Sequence, residues 1–243
     1  MDPRAPFWTR IALAGLGLAA AAWAQAQSSC SSDGQRPPTG LTERFLSAQC
    51  PDCWQARGTP PPPHSLALDW IVPSREQGEE AALSAAATRD SLERLPELGL
   101  TEEQVRLSTA APLQRQSWAG APRGRLRVGH GLPVNDYIGT SIEWHPRDGA
   151  HLPPLSAWLL LVEDLPAGAE GSPVERQIVR NSLYLDLPPH PGRAWRELRP
   201  MRIPEGSRVE RLRVLGWVED GFGHMVAISE SICKTSPTAQ GSR

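Results

Sequence analysis

Apolar and polar positions divide the 243-residue chain into three stretches of different rhythm. The first is a continuous apolar run, Ile11 to Ala22, preceded by Arg4 and Arg10 and followed by Ala24-Gln25-Ala26. The run is too short to cross a bilayer as a helix, and small residues stand at the −3 and −1 positions, so residues 1–26 read as a signal peptide cleaved after Ala26. The second stretch mixes periods. Thr42 to Ala48 has the length of a strand and leads into Cys50-Pro51-Asp52-Cys53, where Pro51 suits a first helical turn that Gly58 and Pro60 to Pro63 soon stop. Ser65 to Val72 reads as a buried strand. Between Glu79 and Leu95, Ala81, Ala85, Thr88, Leu92 and Leu95 recur at helical spacing, which predicts the best helix of the chain. Thr101-Glu102-Glu103-Gln104 has the form of a capping box, and the pattern loosens from Ala110 to Gly124.

From Arg125 the period becomes two. Strands are predicted at Arg125 to Gly129, Tyr137 to Trp144, Ala157 to Val162, Gln177 to Leu187, Trp195 to Ile203, Arg208 to Val218 and Met225 to Ile232, the last two flanking an Asp220-Gly221 turn. The resulting expectation is an α/β N-terminal half followed by a β-sandwich-like C-terminal half, with a signal peptide at 1–26, a first region at 27–124 and a β-rich domain at 125–243. There is no internal repeat.

Composition narrows the function classes. The chain has 25 basic residues, all arginine except Lys234, against 27 acidic ones, for a net charge of −2. That balance offers no excess charge to bind nucleic acid or an anionic membrane surface. No second long apolar stretch follows the signal, so no stable membrane span is expected after cleavage. Near-absence of lysine together with the signal points to a bacterial protein, periplasmic or secreted.

Four cysteines, Cys30, Cys50, Cys53 and Cys233, argue for two disulfides in an oxidising compartment. Three connectivities exist, of which Cys50–Cys53 with Cys30–Cys233 is favoured. A strand running into Cys-x-x-Cys at a helix start is how thiol–disulfide oxidoreductases present a thiolate to free N–H groups, which would make Cys50 the attacking and Cys53 the resolving sulfur. A short helix and the neighbouring Asp52 oppose that activation, and a static disulfide tying a turn is the bland alternative. Metal binding lacks partners at ligand spacing. His64 is the one plausible helper, and His130, His145, His151, His190 and His224 are scattered among the turns of the β half. Asp69 interrupts an apolar strand, either as a proton acceptor near the cysteines or, on the favoured reading, at a strand edge bonded to a turn. Arg123, Arg125 and Arg127 read as a solvated face, and the tryptophans after Trp54 as core. Neither a hydrolase elbow nor a cofactor motif is present.

The motif Phe45-Leu46-Ser47-Ala48-Gln49-Cys50-Pro51-Asp52-Cys53, with Ala67-Leu68-Asp69-Trp70-Ile71-Val72, Ile178-Val179-Arg180-Asn181-Ser182-Leu183 and Gly216-Trp217-Val218-Glu219-Asp220, resembles a family of exported bacterial proteins of unknown function described as thioredoxin-like. The resemblance implies a thioredoxin-like fold for the first half and a proline opposite the cysteine pair, for which Pro112 and Pro133 are available. It supplies no substrate. Two functions follow: thiol–disulfide exchange with envelope proteins through Cys50 and Cys53, or a non-enzymatic envelope binding or assembly module with two structural disulfides. Neither requires a cofactor or a metal, and the sequence sets no oligomeric state.

Overall fold

The computed structural model describes residues 30–120, 123–147, 153–188 and 194–233. The expected signal peptide, His151 and His190 lie outside them. Among the described residues twelve strands run in chain order: β1 (Cys30–Ser31), β2 (Gly40–Ser47), β3 (Ser65–Val72), β4 (Leu113–Trp118), β5 (Gly124–Val134), β6 (Tyr137–Pro146), β7 (Leu155–Leu165), β8 (Arg176–Asp186), β9 (Trp195–Arg202), β10 (Leu212–Asp220), β11 (Met225–Glu230) and β12 (Ile232–Cys233). Three short helices accompany them: α1 (Pro51–Gln55), α2 (Asp90–Glu97) and α3 (Glu102–Leu107). Among the described residues no helix is long and apolar enough to cross a membrane.

The strands form two sheets. One has seven strands in the order β11-β10-β7-β8-β3-β2-β4, parallel where β3 meets β8 and β2, and antiparallel elsewhere. The other has five, β12-β1-β5-β6-β9, all antiparallel. β7 shows why they stack. Its alternate residues Trp158, Leu160 and Val162 join a core with Leu95, Leu100 and Val105 around α2 and α3, while Leu159 and Leu161 join a second core with Val128, Ile142 and Trp144 of the five-stranded sheet. Both faces of β7 are thus covered, and its sequence reads as an unbroken apolar run. At the other end of the large sheet, Leu46, Ile71 and Ile178 pack with Cys50, Cys53 and Trp54 in a third cluster under α1.

This architecture corrects the expected α/β thioredoxin-like half. The local unit is there, since β2 leads through Cys50 and α1 to the parallel β3. The sheet it enters, however, continues into β8, β7, β10 and β11, and its broad cover is a second β-sheet rather than long helices. The helix expected from Glu79 to Leu95 is also corrected. The chain there forms 3₁₀ turns at Gly78–Glu80 and Ser84–Ala86, and α2 begins only at Asp90. Its backbone is claimed by the sheet: Leu83 N–H donates to the Ala48 carbonyl and Thr88 N–H to that of Ile71, bonds a continuous helix could not make. α3 has both bonds of the expected capping box, between Thr101 and Gln104.

Candidate functional site

β2 delivers Cys50 to the N-cap of α1, with Pro51 in the first turn. Cys50 and Cys53 are disulfide-bonded. The amide N–H of Cys53 donates to Cys50 Sγ at 3.2 Å, the single main-chain bond that would favour a thiolate. Two carbonyl oxygens also approach the pair: that of Thr109 lies 3.1 Å from Cys50 Sγ, and that of Ser108 lies 3.1 Å from Cys53 Sγ. After reduction each would accept an S–H and so hold the sulfur in its neutral, unreactive form. Burial acts in the same direction, as Cys50 is 7% and Cys53 0% exposed. A helix of five residues adds little field against these effects.

The residues proposed as helpers stand elsewhere. His64 has a left-handed backbone (φ 61°), and its carbonyl accepts from Thr39 just before β2. Cys50 follows the far end of that strand, roughly 25 Å away at about 3.3 Å per residue. Asp69 is not at a strand edge; it sits within β3, fully buried. Arg44 Nη2 donates to its Oδ2 at 2.7 Å and Arg176 Nη1 to its Oδ1 at 3.1 Å. Burial raises the carboxyl's pKa, and the two guanidiniums offset that rise only in part. Both oxygens are therefore engaged, and Asp69 reaches the cysteines only through Arg176. That guanidinium also donates to the carbonyls of Trp54 and Ala56 at 2.5 and 3.1 Å, and lies 4.6 Å from the Trp54 ring. Arg176 ties the C-terminal end of α1 to the sheet. Pro112, one of the two candidates to face the pair, is buried just before β4 and follows the Ser108–Thr109 segment, but no peptide bond among the described residues is cis. Pro133 lies in β5.

Sequence reasoning missed a second buried network. Arg94 of α2 makes a paired bond to Glu43, through Nε at 3.0 Å and Nη2 at 2.9 Å, and approaches Glu219 at 3.4 Å. Its guanidinium lies 4.9 and 5.1 Å from the rings of Trp158 and Trp217, whose indole N–H groups both donate to Glu219. Trp70 donates to Glu43. Every charged group here has partners, so the network docks α2 on the sheet rather than awaiting a ligand. The core role expected of the tryptophans holds for Trp70, Trp144, Trp158 and Trp217, whereas Trp118 is exposed. A groove of about 350 Å³ opens where β2 and β3 end against α3. Its charges pair with one another, Arg75 with Glu102 and Arg106 with Glu76 and Glu103.

The two disulfides are Cys50–Cys53 and Cys30–Cys233, the favoured connectivity. His130 lies within β5, not in a turn, and directly opposite Cys30. The solvated-face reading fits the arginines of β5, where Arg127 pairs with Asp33 and Glu143.

No known family model matches the chain, and no curated protein does. Among solved structures it is similar to HBP35 of Porphyromonas gingivalis, at 11% identity and a TM-score of 0.48 over 86% of this chain and 80% of that one. A domain of the outer membrane lipoprotein Omp28 from Porphyromonas gingivalis aligns at 10% identity and a TM-score of 0.33, over 47% of this chain and 91% of that one. Likeness at this level bears on neither fold nor function.

Proposed function

We propose that this chain is an exported, non-enzymatic binding or assembly module of the bacterial envelope, with Cys50–Cys53 as a structural crosslink. The observation that carries the reading is the seal over that pair: both cysteines are buried and each sulfur meets a main-chain carbonyl 3.1 Å away. An exchanging disulfide needs the reverse, an accessible sulfur among hydrogen-bond donors. Export is supported by the two disulfides, which persist in oxidising compartments, and by the signal-like run at Ile11 to Ala22. The outward face of the five-stranded sheet is the surface best suited to a protein partner, because Val134, Tyr137 and Leu198 are exposed there among Arg125, Arg196 and Arg202.

Equilibration of the folded protein with dithiol buffers, followed by alkylation and mass spectrometry of Cys50 and Cys53, tests the reading. The expected midpoint for this pair lies below about −300 mV, where structural disulfides fall. A midpoint between roughly −120 and −270 mV, the range of working oxidoreductases, would overturn it in favour of exchange with envelope proteins.

A further inference from the structure

The second disulfide has different surroundings. Cys233, in the two-residue edge strand β12, is exposed, and it pairs in register with Cys30 of β1, which pairs in register with His130 of β5. Residues directly opposite one another share a sheet face, so the three side chains stand in a row across three strands. The two sulfurs and a ring nitrogen of His130 all lie within 4.8 Å of one another. Nδ1 of His130 is 3.0 Å from the Gly131 carbonyl, which can only accept. Nδ1 therefore carries the proton and Nε2 the lone pair, the arrangement in which a main-chain carbonyl fixes the tautomer of a metal-ligating histidine. Cys233 also lines a groove of about 600 Å³ with Arg211, Arg213 and Glu230, which gives solutes a way in.

We propose that Cys30, Cys233 and His130 form a redox-gated site for a zinc-like thiophilic cation. A small dithiol delivers two electrons to the Cys30–Cys233 bond, which becomes two thiols while the dithiol becomes a disulfide. A divalent cation then displaces the two thiol protons and is held by two thiolates and one imidazole, with a fourth tetrahedral position left to solvent. In reverse, a small-molecule disulfide accepts two electrons and becomes a dithiol, the bond between Cys30 and Cys233 reforms, and the cation is released to solvent. The donor set suits zinc: soft sulfur and borderline nitrogen, brought together by strand register rather than by a sequence motif. This proposal goes beyond the binding-module reading and leaves its Cys50–Cys53 crosslink untouched, but it replaces a purely structural role for Cys30–Cys233 with a reducible one.

The test uses the full mature chain, reduced anaerobically with a non-chelating phosphine and titrated with Zn²⁺, or with Co²⁺ for its thiolate charge-transfer absorption. One ion per chain is expected in the reduced protein and none in the oxidised protein, with Cys30 and Cys233 protected from alkylation by the bound ion. His130→Ala should weaken binding roughly 10- to 100-fold or more. Circular dichroism accompanies the titration; if reduction alone unfolds the chain, stoichiometric Zn²⁺ should restore the fold. Unprotected Cys30 and Cys233 at saturating metal would overturn the proposal. So would equal affinity in Cys30→Ser/Cys233→Ser or in His130→Ala, or a reduced chain that Zn²⁺ neither binds nor refolds.

Discussion

Arg176 decides how firmly the Cys50–Cys53 turn is held. Arg44 and Arg176 both bond to Asp69, but only Arg176 continues to the α1 carbonyls and the Trp54 ring. Arg176→Met removes one buried partner and leaves those carbonyls unsatisfied, a loss of about 3–5 kcal/mol. Arg44→Met disturbs the same carboxylate without touching α1. Reduction of Cys50–Cys53 by a dithiol, followed by alkylation under native conditions, should therefore speed up in Arg176→Met and far less in Arg44→Met. Equal acceleration would mean that global destabilisation opens the pair and that Arg176 is no specific clamp. The sequence did flag Asp69, as a carboxylate inside an apolar strand. It could not show the partner, because Arg176 is 107 residues away and is brought alongside only by the pairing of β3 with β8.

Gly216 controls how closely the two sheets approach. It lies on β10 opposite Leu159, on the face toward the five-stranded sheet. A Cβ there would stand 2.9 Å from Val128 Cγ1, 3.2 Å from Ile142 Cδ1 and 3.2 Å from the Trp158 carbonyl. Gly216→Ala should cost about 1–3 kcal/mol by overpacking, read as a lower midpoint in urea. Val128→Ala in the same chain should return part of that loss, so a double-mutant cycle should show coupling; additive effects would place the strain elsewhere. Strands such as β7 and β10 were legible because their residues are apolar over a strand's length. β4 was not, since Leu113-Gln114-Arg115-Gln116-Ser117-Trp118 is a half-exposed edge strand with no apolar alternation. The run from Glu79 to Leu95 misled for the opposite reason: its helical spacing was real, but bonds to the ends of β2 and β3 took the backbone. The Cys-x-x-Cys turn was equally legible, yet a local strand-and-helix unit does not determine the sheet it joins. That is why the thioredoxin-like expectation failed while the short α1 helix was found.

The two crosslinks constrain the molecule in unequal ways. Cys30–Cys233 spans a sequence separation of 203, and Cys50–Cys53 one of 3. On the chain-entropy model the first restricts the unfolded state by up to about 5 kcal/mol and the second by about 2 kcal/mol, so totals alone separate them poorly once the buried sulfurs of the short pair are also lost. The shape of the denatured ensemble separates them better. A bond between β1 and β12 closes nearly all of the described chain into one loop and keeps the unfolded state compact, which reduces the surface exposed on unfolding. The urea m-value follows that surface. Cys30→Ala/Cys233→Ala should therefore lower the midpoint and raise m, while Cys50→Ala/Cys53→Ala lowers the midpoint at constant m. An unchanged m in the first variant would show that its unfolded state stays as compact as the crosslinked one. The stabilisation by Cys30–Cys233 would then reside in the native edge pairing of β12 with β1, which is only two residues long.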